Sequence, residues 1–164
     1  MKKILISLLF IMTAISAMAQ MRIATPNNEL IINAEPGQEL QIVYFGSRLC
    51  DADLANLHAA GVPNHNAYPP YGIWCPSEAS LCVTHADGNM STVLKVEGVS
   101  QIEEPSAEVT RIKMKDTVYP FYVTVCYRAY KDVDMIETWT EIENKEKKPV
   151  QLTRFDSAYL PIRV

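Results

Sequence analysis

No run of apolar residues in this 164-residue chain reaches the roughly 20 needed to span a bilayer as a helix. The longest, Ile4 to Ile15, is too short. Basic residues are not clustered: fifteen Lys plus Arg are dispersed among nineteen Asp plus Glu, for a net charge of -4. This excludes the basic face of a nucleic-acid partner. Cysteine is sparse, with Cys50, Cys75, Cys82 and Cys126 alone, too few for a disulfide scaffold and without the close C-x-x-C pair that zinc favours. No metal site is expected, although the four cysteines leave three possible pairings. Histidine occurs only at 58, 65 and 85, and no spacing pairs one of them with a carboxylate for acid/base work.

The short apolar run is itself informative. Lys2 and Lys3 precede it and Ala17-Met18-Ala19 follows it, the layout of a secretory signal peptide. The expectation is export to a periplasmic or extracellular space, with residues 1–19 removed and no membrane attachment afterwards. No cysteine follows the cleavage site to carry a lipid. About 145 residues then remain from Gln20, enough for one compact domain that buries about two-thirds of its unfolded surface.

From Leu30 onward, period-two alternation dominates. Leu40 to Phe45 follows the turn signal Pro36-Gly37. Leu81 to Val83 and Val93 to Val96 flank Asp87-Gly88-Asn89, which reads as a hairpin because Asp-Gly accepts positive φ. Thr110, Ile112 and Met114 share one face, with Arg111, Lys113 and Lys115 on the other, the mark of a half-solvated strand. Phe121 to Tyr130 is long and aromatic on both faces, hence central. Met135 to Glu143 and Val150 to Tyr159 follow. Eight or so strands with short turns imply an all-β sandwich. One short helix interrupts it, over Cys50 to Ala60, with Asp51 as its cap and Gly61 as its end. A Pro-, Asn- and Tyr-rich excursion over Val62 to Trp74 comes next. Long ordered loops of this kind often carry function.

Several strings recur in a telling order. They are Val43-Tyr44-Phe45-Gly46, Tyr68-Pro69-Pro70-Tyr71-Gly72, and Ala79-Ser80-Leu81-Cys82-Val83 leading to Asp87-Gly88. Thr110 to Asp116 follows, then Val123 to Tyr130 with Asp134-Met135-Ile136, Ile142-Glu143-Asn144-Lys145, and Ser157-Ala158-Tyr159-Leu160-Pro161. In order and spacing the chain resembles the N-terminal domain of glycoside hydrolase family 36, the bacterial α-galactosidases and related α-N-acetylgalactosaminidases.

That resemblance implies a β-supersandwich, of the galactose mutarotase-like kind, packed against a catalytic (β/α)8 barrel that is absent from this chain. It also implies a retaining reaction on terminal α-galactosides without metal or organic cofactor. Retention uses two carboxyls about 5 to 5.5 Å apart, here two barrel aspartates beyond Val164, so no catalytic residue is expected in this chain. Its partners would be its own barrel, the α-galactoside held by that barrel, and other subunits of an oligomer. The apolar Leu160 to Val164 reads as a strand interrupted, so the chain is expected to be the front of a longer protein. It departs from the family in two places. Gly72-Ile73-Trp74-Cys75 stands where members commonly have a segment resembling Gly-Asp-Phe-Arg, and the stretch from Phe45 to Tyr68 is short. In oligomeric members that region reaches a neighbour's active site.

Candidate substrate contacts lie in this excursion. Asp51 and Asp53 could accept hydrogen bonds from sugar hydroxyls, although a cap and a first-turn acid favoured by the helix dipole is the plainer reading. Tyr68, Tyr71 and Trp74 could offer ring faces to a sugar, although burial beneath the loop is plainer. Asp132, Asp134 and Glu137 sit in and just after a turn, and a catalytic dyad would also need pKa values raised by burial, which no spacing encodes. Two other readings are a free-standing carbohydrate-binding or interaction domain, and a mutarotase-like epimerase using a histidine.

Overall fold

The computed structural model describes residues 20–59, 65–72 and 78–160, with only the backbone given for 57–59. The expected signal peptide, Trp74, Cys75 and the last four residues lie outside the described residues. The strands form antiparallel sheets. One sheet has the order β1 (Gln20–Ala24), β2 (Asn28–Asn33), β3 (Gln41–Ser47), β4 (His65–Asn66). After β3 comes the helix α1 (Asp51–Ala59). A second sheet runs β6 (Leu94–Glu103), β7 (Ala107–Asp116), β8 (Phe121–Tyr130), β9 (Ile136–Asn144). A two-stranded ribbon pairs β5 (Leu81–Thr84) with β10 (Gln151–Phe155).

Alternation places the core. On β8, Phe121, Val123, Val125, Tyr127 and Ala129 are buried on one face, and β7 adds Ile112 and Met114. From the first sheet Ile23, Leu30, Ile32 and Ile42 join the same cluster. Two sheets that bury one face against each other form a sandwich. β8 is an interior strand, paired with β7 along one side and with β9 along the other, as its aromatic character on both faces implies.

Three expectations need correction. The Asp87-Gly88-Asn89 turn exists, with Gly88 at φ +90 and the His85 N–H donating to the Asn89 carbonyl at 2.7 Å. Its flanking strands do not pair, however. β5 joins β10 and β6 joins β7, so the chain changes sheets at this turn. The helix is capped one residue earlier than expected. The Leu54 N–H bonds to the Cys50 carbonyl at 3.0 Å, which puts Cys50 in the capping position and Asp51 in the first turn. Finally, β1 precedes the region where alternation is legible, and it pairs with β2 in register from Gln20↔Asn33 to Ala24↔Glu29.

Candidate functional site

The excursion after β3 is tied to the sandwich at both ends. Arg22 and Glu29 lie on the outer face of the first sheet, opposite to the core residues Ile23 and Leu30. Arg22 donates through Nε to Glu29 Oε2 at 2.7 Å and through Nη2 to Oε1 at 3.0 Å. The fully buried Glu29 also accepts the Leu49 N–H at 2.7 Å, while Arg22 Nη2 donates to the Leu49 carbonyl at 2.6 Å. Burial alone would push the Glu29 carboxyl up; the Arg22 and Leu49 hydrogen bonds together with the nearby positive charge outweigh it and hold Glu29 below the usual carboxylate range. Arg22 rises correspondingly, chiefly through its hydrogen bond to Glu29. This knot fixes the entry to α1.

Asp51 is solvent-exposed and 3.4 Å from Arg22 Nη1. Asp53 accepts from the Cys50 thiol at 3.0 Å. Both carboxylates therefore serve the start of the helix and remain accessible.

At the other end, the Tyr68-Pro69-Pro70-Tyr71-Gly72 string is threaded through the domain. The Tyr68 ring is buried in the core and its hydroxyl donates to the Asp156 carbonyl at 3.0 Å. Burial is the main cause that pushes this phenol up to about 12. Pro70 bridges Leu81 in parallel. The Tyr71 N–H donates to the Leu81 carbonyl at 2.8 Å, and the Tyr71 carbonyl accepts from Thr92 at 3.0 Å. Gly72 stands at φ +110, where an added Cβ would lie 2.5 Å from Ser91 Cα. Of the aromatic candidates, Tyr71 is 52% exposed and presents a ring to solvent, Tyr68 is structural, and Trp74 lies outside the described residues. Tyr68 belongs to the interior and Asp51 to the outer side of the first sheet, so the fold does not gather the described candidates into one cleft.

A cluster that sequence reasoning missed surrounds His85. Its Nδ1 is 2.7 Å from Glu146 Oε1 and its Nε2 3.0 Å from Thr92 Oγ1. With a carboxylate as acceptor, Nδ1 carries a proton and donates to it, and Nε2 shares a hydrogen bond with the threonine hydroxyl. Tyr119 stacks on the ring at 3.8 Å, and Glu146 also accepts the Ala86 N–H at 3.0 Å. The side chains of His85 and Glu146 are 0% and 6% exposed. A histidine paired with a carboxylate suits acid/base chemistry, but a pair sealed from solvent has no room for substrate. His65 lies in β4 opposite Ile42, and the His58 side chain lies outside the described residues. The epimerase reading thus gains no site from the described histidines.

The outer face of the second sheet carries a shallow groove of about 340 Å³, lined by Glu97, Gly98, Ser100, Arg111, Lys113 and Thr124. A β-bulge between Val96 and Gly98 helps to form it. Its charges are matched internally, Arg111 with Glu141 at 2.5 Å and Lys113 with Glu97 at 3.0 Å. Among the described residues no three His, Cys, Asp or Glu side chains converge on a metal position.

Against this geometry stand the similarities to known proteins. The model of the glycosyl hydrolase family 36 N-terminal domain matches residues 38–164. No curated protein matches the chain. Among solved structures, α-galactosidase AgaA of Geobacillus stearothermophilus is 20% identical with a TM-score of 0.74, over 85% of this chain and 24% of that one. The α-galactosidase of Lactobacillus brevis is 14% identical with a TM-score of 0.72, over 85% and 23%. The galactosidase domain of the α-galactosidase-sucrose kinase AgaSK is 16% identical with a TM-score of 0.74, over 85% and 24%. At these identities the likeness is one of fold, and the chain spans about a quarter of those proteins.

Proposed function

Because this chain belongs to glycosyl hydrolase family 36 through its N-terminal domain, we propose that it is the non-catalytic front module of an exported α-galactosidase. Residues 1–19 act as the signal peptide, and the mature module supports a covalently linked catalytic barrel and shapes the rim of its active site. The family match over residues 38–164 carries this reading, and the share of about a quarter of each solved relative supports a longer parent. AgaA variants have been crystallised with raffinose and with stachyose, which supports terminal α-galactosides of such oligosaccharides as the parent's substrates. Within the module, Asp51, Asp53 and Tyr71 are the accessible candidates for contact with sugar or with a neighbouring subunit.

The reading is tested by blotting native protein from the source cells with an antibody against residues 20–164. A band several times the size of this chain, purified and found to release galactose from raffinose, is the expected result. A band at the size of the mature chain overturns it, and sugar titrations on the isolated module would then test the free-standing carbohydrate-binding alternative.

A further inference from the structure

Among the described residues one end of the sandwich is open. Between the inner faces of the two sheets lies a pocket of about 120 Å³, walled by Leu30 of β2 and Phe45 of β3 on one side and by Tyr127, Ile136 and Thr138 of β8 and β9 on the other. Tyr159 flanks it, and Thr25 and Asp134 stand at its rim. Two features separate it from an accidental gap. Tyr127 is 4% exposed, yet its hydroxyl finds no hydrogen-bond partner among the described residues, and burial alone dominates the upward push on the phenol. The hydroxyl is not sealed, so it has donor and acceptor capacity to offer whatever enters the pocket. The rim, by contrast, is pre-organised. Asp134 Oδ1 accepts from Thr25 Oγ1 at 2.9 Å and from the Asn27 N–H at 2.7 Å, and Oδ2 accepts from Asn27 Nδ2 at 2.7 Å. These bonds, those from Asn27 first, hold the Asp134 carboxyl below its ordinary range, so it is an ionised acceptor with Oδ2 only partly used.

The lining selects its ligand. Among the described residues no cationic side chain lines the pocket, and the Asp134 carboxylate repels anions. Among the described residues no second carboxylate lines the pocket to hold a cation, and the three donors already share the Asp134 charge while Oδ2 keeps room for one hydroxyl. What fits is a neutral body with apolar faces for Phe45 and Tyr159 and hydroxyls on its edge for Tyr127 and Asp134. At about 120 Å³ the pocket is smaller than the closed cavity of about 150 Å³ that takes benzene, so it seats one edge of a six-membered ring and leaves the rest outside. We propose that this mouth of the sandwich binds a single neutral pyranose ring, either a free monosaccharide or the terminal residue of an oligosaccharide. Preferring a pyranose to other neutral polyols rests on the glycosidase reading above; the pocket itself does not.

The test is an NMR titration of the purified full chain, uniformly labelled with nitrogen-15, with methyl α-D-galactopyranoside, raffinose and myo-inositol. Saturable shifts are expected at the amides of Thr25, Asn28, Asp134 and Thr138 with the two sugars and not with inositol. Equal affinities for the two sugars identify a monosaccharide site, and tighter raffinose binding identifies the end of an oligosaccharide. Tyr127→Phe removes only the hydroxyl and should weaken binding about tenfold without lowering the unfolding midpoint, because no internal hydrogen bond is lost. Phe45→Ala, at an exposed position, should weaken it severalfold. Absence of saturable shifts at these amides, equal binding of inositol, or unchanged affinity in Tyr127→Phe overturns the proposal. None of these outcomes depends on a downstream barrel, so a native protein of the wrong size would count against the glycosidase reading and leave the titration result standing.

Discussion

Arg22 and Glu29 face each other diagonally across β1 and β2 in a two-point pair, Nε to Oε2 at 2.7 Å and Nη2 to Oε1 at 3.0 Å, with the carboxylate fully buried. Such a pair is costly to halve, because the surviving charge stays buried without its partner. Arg22→Met should therefore cost about 3 kcal/mol near neutral pH, read by urea unfolding. The sign of the pH dependence follows from the lowered Glu29 carboxyl. Its contribution is fully present above the ordinary carboxylate range and is lost as pH falls through the depressed folded value. In Arg22→Met the deficit should shrink in acid, where Glu29 can take a proton. A deficit that is constant from neutral to acid pH would show that the pair does not hold the loop before α1.

His85 and Glu146 join two turns that lie 61 residues apart in the chain. Removing the imidazole leaves Glu146 with the Ala86 N–H alone and opens space beside Tyr119 and Phe121. His85→Ala should cost about 2 to 4 kcal/mol, from the unpaired carboxylate together with the cavity. Glu146→Gln keeps the shape and one acceptor, so it should cost less than half as much. If the two variants proved equally mild in chemical denaturation, the cluster would be ornamental.

Gly72 occupies a backbone conformation that other residues rarely adopt, and it lies against the Ser91 and Thr92 backbone. Gly72→Ala adds strain at φ +110 and a clash at 2.5 Å that only a backbone shift relieves. The expected loss is about 2 kcal/mol or more, visible as a lower thermal midpoint. By comparison, Gly37 also has positive φ, but no atom lies within 4 Å of its added Cβ. Gly37→Ala should cost less.

Most of the sandwich was legible because alternation is a local signal. Phe121 to Tyr130 shows it over ten residues and is the interior strand it resembles. Lys113 and Lys115 mark the outer side of β7 in the same way. What failed was pairing. Asp87-Gly88-Asn89 correctly announces a turn, but turn chemistry does not say whether the strands on either side stay in one sheet, and here they part. β1 was hidden because five residues are too few to show a period. The candidate site was read less well. Asp51 and Asp53 lie at the helix start as their spacing suggests, yet Glu29, which anchors the loop, shows in sequence only as an acid beside a hydrophobic run. The His85–Glu146 pair and the Tyr127 pocket depend on contacts across the fold that no spacing encodes.

Tyr68 and Tyr71 are three residues apart and have opposite roles. The Tyr68 ring is buried and its hydroxyl holds the Asp156 carbonyl, so Tyr68→Phe should cost about 1 kcal/mol of stability without otherwise altering the surface. Tyr71 lends its backbone to Leu81 and Thr92, but its ring is exposed, so Tyr71→Ala should change stability by less than about 0.5 kcal/mol. If Tyr71 meets sugar or a neighbouring subunit in the parent enzyme, Tyr71→Ala should raise KM for raffinose severalfold while kcat stays within about twofold, the pattern of lost uniform binding. Tyr68→Phe should leave both constants unchanged below its unfolding temperature. Kinetics on the parent enzyme decide it: unchanged KM in Tyr71→Ala would remove Tyr71 from the substrate-contacting set and leave the string as a structural staple between β5 and the segment before β6.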